Sequence, residues 1–273
     1  MPKSQTVVIT GGTSGIGKAC AELYASKGYN LVLTGRNQER LDNVIQSFQS
    51  SGHQALGVQA DAASEKGAKD VVEQTIKTFG SLDVLICNAG ISMRAMFEDL
   101  DLKVFREVMD INFMGTVNYV KYALPHLLES KGTIIGISSI NGHRGTPART
   151  AYSSSKFAME GFFEALRTEL LYRGVHVLVA SPGYTGTNIR NAALTADGKI
   201  QGESPKDESK MMTAEEVALR IYKGQQKKTR NFILTPLCWW LNFLNHFVPR
   251  LMDKIVYNVL AKESDSPLKE KAN

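Results

Sequence analysis

One tyrosine and one lysine are spaced so that they could transfer a proton. The chain contains nine tyrosines, and only Tyr152 is followed by a lysine four residues later, at Lys156. In a helix this spacing places both side chains on one face. A nearby ammonium group favours the phenolate form and so lowers a tyrosine pKa that is otherwise about 10. The same spacing also occurs by chance on solvated helix faces, so the position of the pair in the chain decides between the two interpretations.

A serine upstream of this pair supplies a hydroxyl group. Ser139 ends an apolar, β-branched run and precedes Tyr152 by thirteen residues. Open α/β sheets hold their ligands at the carboxyl ends of the strands, which is where this serine is expected. A hydroxyl group there can orient a carbonyl and stabilise negative charge on its oxygen. The three side chains could together transfer a proton to or from an oxygen atom of a bound substrate.

A glycine-rich turn follows the first strand-like run. Residues 10–17 read T-G-G-T-S-G-I-G, and then a helical pattern begins. Glycines permit a tight turn and let backbone N–H groups approach a pyrophosphate, to which the helix N-terminus adds a positive dipole. The spacing is T-G-x-x-x-G-x-G and not G-x-G-x-x-G, and the alternative interpretation is an ordinary glycine-rich turn. The candidate nucleotide-binding residues here are Gly11, Thr13, Ser14, Gly15, Ile16 and Gly17.

The residues after the second strand-like run favour NADP(H) over NAD(H). An acidic side chain in this place binds the ribose 2′-hydroxyl of NAD(H), whereas an arginine pairs with the 2′-phosphate of NADP(H). The chain has Arg36 here and no Asp or Glu between Glu22 and Glu39. Ser14 can donate a hydrogen bond to the same phosphate. The alternative is that Arg36 is a solvated loop residue.

These residues require a sheet whose strands run in one direction. Short β-branched runs alternate with longer amphipathic ones, which predicts right-handed βαβ crossovers and an α/β fold with a Rossmann-type, doubly wound sheet of mainly parallel strands. The strand runs are nearly all apolar, as expected when helices cover both faces. The seven predicted strands are 6–10, 30–34, 55–59, 84–87, 132–137, 175–180 and 232–234. The six predicted helices are 16–27, 39–51, 65–79, 103–129, 152–173 and 214–226.

Further motifs follow the glycine turn in order along the chain: Asp61, Asn88-Ala89-Gly90, Asn112 and Pro182-Gly183. Together with the turn, Ser139 and the Tyr152–Lys156 pair, they resemble the motifs of the short-chain dehydrogenase/reductase family. The resemblance covers about residues 6–187 and continues weakly to about 235. It implies that Tyr152 is the general acid in reduction, that Ser139 orients the carbonyl, and that Lys156 also holds the nicotinamide ribose.

The same resemblance assigns roles to the remaining motifs. Asn112 is similar to the family's proton-relay asparagine, and the alternative is a capping or kink residue within a helix. Asp61 would bond the adenine, and the alternative is an acid in a turn. The other cofactor contacts implied are Asn88, Ala89, Gly90, Tyr152, Lys156, Pro182, Gly183 and Thr187.

The substrate end of the site has weaker signals. Residues 188–210 form a long polar segment, which is typical of a lid or a disordered segment. The candidate substrate contacts are Ser139, Ile140, His143 and Tyr184, together with Met93, Asn141 and Arg144. For His143 and Arg144 the alternative is an exposed loop.

Length, composition and charge exclude several classes of protein. The 273 residues, 43% of them hydrophobic and 22% charged, suit one large domain with its own core and exclude a disordered or disulfide-scaffold class. The net charge is +5, but residues 217–252 contain six Lys or Arg and no acid, so the rest of the chain is close to neutral. No nucleic acid is therefore expected as a partner.

Cysteine, histidine and apolar patterns bear on the compartment and on metals. Cys20, Cys87 and Cys238 are far apart, which indicates reduced thiols. The five histidines have no metal-ligand spacing, so no metal is expected. No targeting segment and no uninterrupted apolar run of about 18 residues is visible, which predicts a cytoplasmic protein.

The last part of the chain departs from the minimal family pattern. Residues 1–235 are the predicted dinucleotide-binding and catalytic domain, 236–261 an amphipathic helical extension, and 262–273 a frayed polar tail. The extension holds both tryptophans beside basic residues, which suits a peripheral position on a membrane surface, a cover for the substrate pocket, or a dimer face. It resembles the extensions of family members that act on lipids, steroids or retinoids. A bulky apolar ketone, such as a keto-sphingoid base or a steroid, is the expected substrate.

The protein is expected to form a homo-oligomer, and two other functions compete with that of a reductase. Family members usually pair the helices near 103–129 and 152–173 across a dimer interface, so the resemblance implies a homodimer or homotetramer. The alternative for the apolar stripe of the second helix is an intramolecular core. Two competing hypotheses are a non-catalytic NADP(H)-sensing protein and a membrane-recruited scaffold. A sensor need not retain Ser139, Tyr152 and Lys156 together, which disfavours the first.

Overall fold

The computed structural model of the protein describes residues 4–203, 211–234, 236–263 and 266–269. Seven strands form its sheet: β1 (Thr6–Ile9), β2 (Asn30–Gly35), β3 (Ala55–Gln59), β4 (Val84–Cys87), β5 (Thr133–Ile137), β6 (His176–Ser181) and β7 (Asn231–Ile233). Their order is β3-β2-β1-β4-β5-β6-β7, and all neighbouring strands are parallel. The predicted doubly wound sheet is confirmed. Its winding reverses between β1 and β4, which opens a crevice at the carboxyl ends of these strands.

Helices cover both faces of the sheet. They are α1 (Gly15–Ser26), α2 (Gln38–Ser50), α3 (Glu65–Phe79), α4 (Leu102–Met109), α5 (Gly115–Ser130), α6 (Thr150–Glu169), α7 (Ala214–Gln226), α8 (Pro236–Phe247) and α9 (Pro249–Ala261). Alternate residues of β1 serve two cores: Val7 and Ile9 pack against α1, α2 and α7, whereas Val8 packs with α3, α5 and α6. In the apolar run of α6 and its C-cap, Phe163, Leu166 and Leu170 belong to the second core and Phe162 packs against it, whereas Phe157 is exposed.

The predicted helix over 103–129 is interrupted. A wider π turn at Asp110–Met114 joins α4 to α5. Such turns insert one extra residue into the helical hydrogen-bond pattern and are frequent at functional sites. Here the turn carries Asn112, which has no exposed surface and makes three side-chain hydrogen bonds. Apolar periodicity does not reveal a single-turn change, which is why the sequence predicted one helix.

The C-terminal extension is helical, as predicted, and consists of α8 and α9. The tail beyond it was expected to be frayed, and this is wrong for the described residues 266–269. Leu268 is 4% exposed and Ser266 is also buried. One buried leucine leaves no periodic pattern, so the sequence did not indicate it. The ends of the tail, at 264–265 and 270–273, lie outside the described residues.

The polar segment after β6 is ordered over 188–203. Leu194 N donates to Ser92 O over 2.9 Å, and Arg94 N donates to Leu194 O over 2.8 Å. These bonds attach the segment to residues 91–96, which we call the wall segment. Of the two alternatives for this segment, a lid or disorder, the described residues 188–203 are ordered, and residues 204–210 lie outside the described chain.

Two glycines test the packing of the core. A Cβ on Gly136 in β5 would lie 2.2 Å from Phe163 Cε2, whereas one on Gly161 in α6 would meet nothing within 4 Å. Gly136→Ala should lower the free energy of unfolding by about 1–3 kcal/mol through overpacking. Gly161→Ala should raise it by roughly 0.5–1 kcal/mol through helix propensity. Urea denaturation measures both, and equal effects of the two substitutions would contradict this packing.

Candidate active site

The glycine turn lies at the crevice between β1 and β4. Gly11 and Gly15 have φ of 64° and 52°, values that favour glycine. A Cβ on Gly17 would lie 2.4 Å from Gly11 O and 2.5 Å from Asn88 Nδ2, so the first turn of α1 packs against the turn backbone. Ser14 is the N-cap of α1 and its side chain makes no capping bond. The first-turn N–H groups therefore suit an anion such as a pyrophosphate.

The Asn88–Gly90 motif braces this turn. The hydroxyl oxygen of Thr10 accepts hydrogen bonds from Asn88 N and Ala89 N, both over 2.9 Å. Asn88 Nδ2 in return donates to Thr10 O over 2.9 Å and to Gly11 O over 3.1 Å. The ends of β1 and β4 are thus locked together. Thr10 was missed by the sequence reasoning, although its place at the strand end before the glycines was a usable signal.

Asn112 holds the next stretch of backbone. Its Oδ1 accepts from Ile91 N over 2.8 Å, and its Nδ2 donates to Ile91 O and to Ser155 Oγ, each over 2.9 Å. The bonds connect the wall segment to α6, three residues after Tyr152. Asn112 therefore lies at a helix irregularity, as the alternative interpretation holds, and is bonded to α6, which carries Tyr152. Its proton-relay role stays a prediction.

Lys156 is almost completely buried beneath Gly90. It is 4% exposed, and its Nζ donates to Ile137 O over 2.9 Å. A Cβ on Gly90 would lie 3.1 Å from Asn112 Oδ1 and 3.7 Å from this Nζ, so Gly90 lies next to both the amide and the amine. Burial lowers the pKa of Lys156 to about 8, against the opposing attraction of Glu160. Glu160, one turn further along α6, was not predicted from the sequence.

Tyr152 lies near Lys156, with the amine nitrogen 5.7 Å from the centroid of its ring. Burial raises the pKa of Tyr152, while a hydrogen bond with Ser139 and the charges of Arg149 and Arg190 oppose the rise. The sequence predicted the reverse direction, from the attraction of the Lys156 ammonium together with the positive charge of an oxidised nicotinamide. The protein groups alone raise this pKa, because loss of water outweighs their attraction and the Lys156 amine donates to Ile137 O. The effect of the nicotinamide stays a prediction. Arg149 and Arg190 were both missed. Arg149 is three residues before Tyr152, which was a usable signal.

The predicted cofactor residues at the outer end of the crevice lie on the surface. Arg36 and Asp61 are exposed. Arg36 O accepts from Gln59 Nε2 over 2.9 Å, and Asp61 Oδ1 accepts from Ala63 N over 3.1 Å, which is a turn-stabilising bond. A Cβ on Gly35 would lie 3.0 Å from Thr13 Cγ2, so the end of β2 adjoins the glycine turn. The adenine role of Asp61 and the phosphate role of Arg36 stay predictions.

The residues after β6 reach the same crevice. Pro182 O accepts from Ile140 N over 3.0 Å, which joins the ends of β5 and β6. Thr187 lies over the glycine turn, because its Cγ2 is 3.3 Å from the Cβ position of Gly15. Gly183 lies between these two residues in the chain and is half-buried. Their contacts with the nicotinamide stay predictions.

The predicted substrate contacts divide into two groups. Met93 is fully buried in an apolar cluster that includes Leu194 and the ring of Tyr152. Ile140 is half-buried and Tyr184 is exposed. The other three engage protein partners: His143 bonds to Ser181 and Glu160, Arg144 pairs with Asp253, and Asn141 accepts from Thr146.

Two of the three cysteines are poor nucleophiles. Cys20 and Cys87 are buried free thiols, and burial raises the pKa of each to about 12. The side chain of Cys238 lies outside the described residues. Among the described residues no three His, Cys, Asp or Glu side chains form a metal-binding group.

A doubly wound parallel sheet, a glycine turn at its switch point and a tyrosine–lysine pair at the same edge are the features of a Rossmann-type oxidoreductase. A sequence model described as short chain dehydrogenase matches residues 5–197. The chain belongs to the short-chain dehydrogenase/reductase family and is an oxidoreductase of that family.

Relatives and solved structures agree with this assignment. The chain is 37% identical to dehydrogenase/reductase SDR family member 7B of Rattus norvegicus, over 97% of this chain and 84% of the relative. It is 33% identical to an 11-beta-hydroxysteroid dehydrogenase of Pinus massoniana, over 92% of this chain and 72% of the relative.

Two solved structures share the fold. A short-chain dehydrogenase/reductase from Burkholderia phymatum in complex with NAD has a TM-score of 0.82 at 21% identity, over 91% of this chain and 95% of that one. An alcohol dehydrogenase from Thermococcus sibiricus complexed with 5-hydroxy-NADP has a TM-score of 0.74 at 23% identity, over 85% and 96%.

The buried amine makes stability depend on pH. The pKa of Lys156 is about 8 in the folded protein against 10.5 as a reference. Between these values the unfolded chain binds more protons, so this residue makes the free energy of unfolding rise with pH, by up to about 1.4 kcal/mol per unit. Lys156→Met should remove this rise between pH 8 and 9. The exposed Lys121→Met is the control, and an unchanged slope in Lys156→Met would contradict the burial.

Proposed function

We propose that the protein is an NADPH-dependent carbonyl reductase that acts on a bulky apolar ketone, such as a 3-keto-sphingoid base or a steroid, and that can run in reverse as an alcohol dehydrogenase. The observation that supports it most directly is the position of the Lys156 amine, 5.7 Å from the ring centroid of Tyr152 at the carboxyl edge of the sheet, where Ser139 also acts on the pKa of the phenol. Buried Lys156 lies on the same helix face.

The chain's own groups would handle the proton and the oxygen of the substrate. Because burial raises the pKa of Tyr152, the phenol is protonated at neutral pH and suited to donate its proton to a carbonyl oxygen. Ser139 would donate a second hydrogen bond to that oxygen as its negative charge grows. Lys156 and Asn112 would return a proton to Tyr152 after each turnover.

The crevice fits a dinucleotide on two observations. The first turn of α1 offers uncapped N–H groups, and the glycine positions lack the space for side chains that would fill the turn. Gly11, Thr13, Gly15, Ile16 and Gly17 would hold the pyrophosphate, and Asn88, Gly90, Lys156 and Thr187 the nicotinamide half. Asp61 would hold the adenine, with Ala89, Pro182 and Gly183 lining the crevice. The reduced nicotinamide, when bound, supplies the hydride.

The ring of Tyr152 packs on one side against an apolar cluster. Met93, Ala151 and Leu194 form this cluster with Leu100 and Val104, and all five are buried, so they support the tyrosine and do not themselves line a pocket. The choice of an apolar substrate therefore rests on the resemblance of the C-terminal extension and on the relatives. One relative is named as an 11-beta-hydroxysteroid dehydrogenase, and we propose that this chain also acts on a bulky apolar substrate such as a steroid.

Tyr152→Phe tests the proton donor. The substitution removes only the hydroxyl group, so NADPH should still bind while turnover of ketones falls at least ~100-fold. NADPH oxidation is followed with lipid, steroid and small ketones, and nucleotide binding is followed by fluorescence. Turnover retained by the variant would refute the assignment. A wild-type protein that binds NADPH and turns over no ketone would instead favour the sensing function.

Arg36→Ala tests the nucleotide preference. Loss of a charge-assisted hydrogen bond should weaken NADPH binding by roughly 10- to 100-fold, as expected for about 1.5–3 kcal/mol. NADH has no 2′-phosphate, so its affinity should change little. Titration calorimetry of both nucleotides measures the ratio, and equal losses for NADPH and NADH would overturn the preference.

The extension supports peripheral contact with an anionic membrane surface. Trp240 is 54% and Phe247 69% exposed, and Trp239 and Phe243 add a stacked aromatic pair on α8. Six cations and no acid occupy 217–252, a balance that complements anionic lipid. Within the described chain, no helix has both the length and the apolar character needed to cross a bilayer. We also propose a homodimer or homotetramer through α5 and α6, where Phe157 is exposed.

Vesicle flotation tests the membrane surface. The protein should float with vesicles that contain phosphatidylserine and much less with neutral vesicles, because both apolar insertion and charge contribute. Trp240→Ser/Phe247→Ser should abolish flotation, whereas Leu171→Ser/Tyr172→Ser, exposed apolar residues elsewhere, should leave it intact. Wild-type protein that stays at the bottom with anionic vesicles would contradict the contact.

A further inference from the structure

We propose that Glu263, in the tail after α9, is a positioning residue for Tyr152: it closes the C-terminal segment onto the wall segment and balances the charge of Arg149, the half-buried arginine just before the helix that carries the tyrosine. The inference rests on the proposed role of Tyr152 as proton donor. It assigns the tail a role in positioning Tyr152, in addition to the proposed membrane contact of α8 and α9.

A buried ion pair joins the tail to the wall segment. Glu263 Oε2 lies 3.3 Å from Arg94 Nη2, and their side chains are only 10% and 8% exposed. The two residues are 169 positions apart in the chain. Because so little water reaches this ion pair, each charge is stabilised by the other, and removal of one would leave the other buried and uncompensated. Ser266 and Leu268 are buried just after it, which fixes this part of the tail.

The wall segment connects this pair to the start of α6. Arg149 Nη1 donates to Ser92 Oγ over 3.0 Å and to Met93 O over 3.2 Å. Ala95 N donates to Ala148 O over 3.1 Å. Ala148 has φ of 57°, a left-handed conformation that is strained for alanine and that the surrounding bonds must hold. Residues on both sides of Arg94 are therefore bonded to the two residues that open the catalytic helix.

Electrostatic interactions extend this connection from Glu263 through Arg149 to Tyr152. Glu263 stabilises the charged form of Arg149, and Arg149 stabilises the phenolate form of Tyr152. Arginine keeps its charge at any working pH, so its effect depends on the anions near it. The groups that act on the charge of Tyr152 are Ser139 after β5, Arg190 after β6 and Arg149 just before α6, and the Lys156 amine lies 5.7 Å from its ring centroid; Tyr184 acts on Arg149. Glu263 is the carboxylate among the groups that act on Arg149.

A second ion pair from the extension gives a matched control. Asp253 on α9 pairs with Arg144 over 2.6 Å, but its side chain is 68% exposed. Surface pairs of this kind contribute little and are screened by salt. Asp253→Asn and Glu263→Gln each remove one charge from the C-terminal segment, and only the second acts on the arginines beside Tyr152.

The experiment compares the pH dependence of ketone reduction in the full-length variants. Without Glu263 the positive potential of Arg149 is less balanced, so Tyr152 loses its proton at lower pH. In Glu263→Gln the alkaline limb of kcat should move down by about half a pH unit. Asp253→Asn should keep the wild-type limb, and Glu263→Asp, which keeps the charge, should restore it. Thermal unfolding confirms that each variant is folded.

The outcomes separate this inference from the proposed function. An alkaline limb that is unchanged in Glu263→Gln, that moves to higher pH, or that moves equally in Asp253→Asn would overturn the positioning role while Tyr152→Phe stays inactive. Retained turnover in Tyr152→Phe would instead remove the proposed function itself. If Glu263→Gln fails to fold, Arg94→Gln is the second variant. It removes the positive partner of Glu263, so the carboxylate acts more strongly on Arg149, and the alkaline limb of kcat should move to higher pH.

Discussion

Removal of water from a phenol and an amine on one helix face is the constraint on which the rest of the site depends. Burial raises the pKa of Tyr152 and lowers that of Lys156 to about 8, so both groups shift toward their uncharged forms. Burial of a polar group costs free energy unless hydrogen bonds or opposite charges compensate it. Ser139 and the charges of Arg149 and Arg190 act on the phenol, and Ile137 O accepts a hydrogen bond from the amine. A tyrosine that keeps its proton at neutral pH can donate it, which is the role that the proposed reduction requires.

The surrounding elements keep this edge of the sheet in place. Thr10 and Asn88 tie β1 to β4 through four hydrogen bonds, and Asn112 ties the wall segment to α6 through three. Both networks use short, uncharged side chains, the hydroxyl of Thr10 and the amides of Asn88 and Asn112, which bond mainly backbone groups and leave no charge behind. Gly17 is required by the first network, because a side chain there would strike Gly11 O. The crevice is thus held by neutral hydrogen bonds, whereas the substrate side also contains ion pairs.

Local patterns in the sequence predicted the sheet well, because strands buried on both faces need continuous apolar runs and their winding follows from handedness. The positions of Tyr152, Lys156 and Ser139 followed from the same pattern. The sequence pattern did not predict the charged groups that act on Tyr152. Arg190 and Glu263 approach from segments distant in the chain, and no spacing rule brings them to α6. The π turn at Asn112 and the buried Leu268 were missed for a related reason: each depends on tertiary contacts that leave the apolar period unchanged.

The most direct test of the account is the titration of Tyr152 itself. Protein labelled with ¹³C at the tyrosine ring carbon that bears oxygen gives one resonance per tyrosine, and comparison with Tyr152→Phe identifies the signal. The account predicts that in the nucleotide-free protein this signal titrates above the ordinary tyrosine pKa of about 10, because burial outweighs the nearby arginines. A phenol that titrates at or below that value would contradict the claim that a desolvated, protonated Tyr152 supplies the proton.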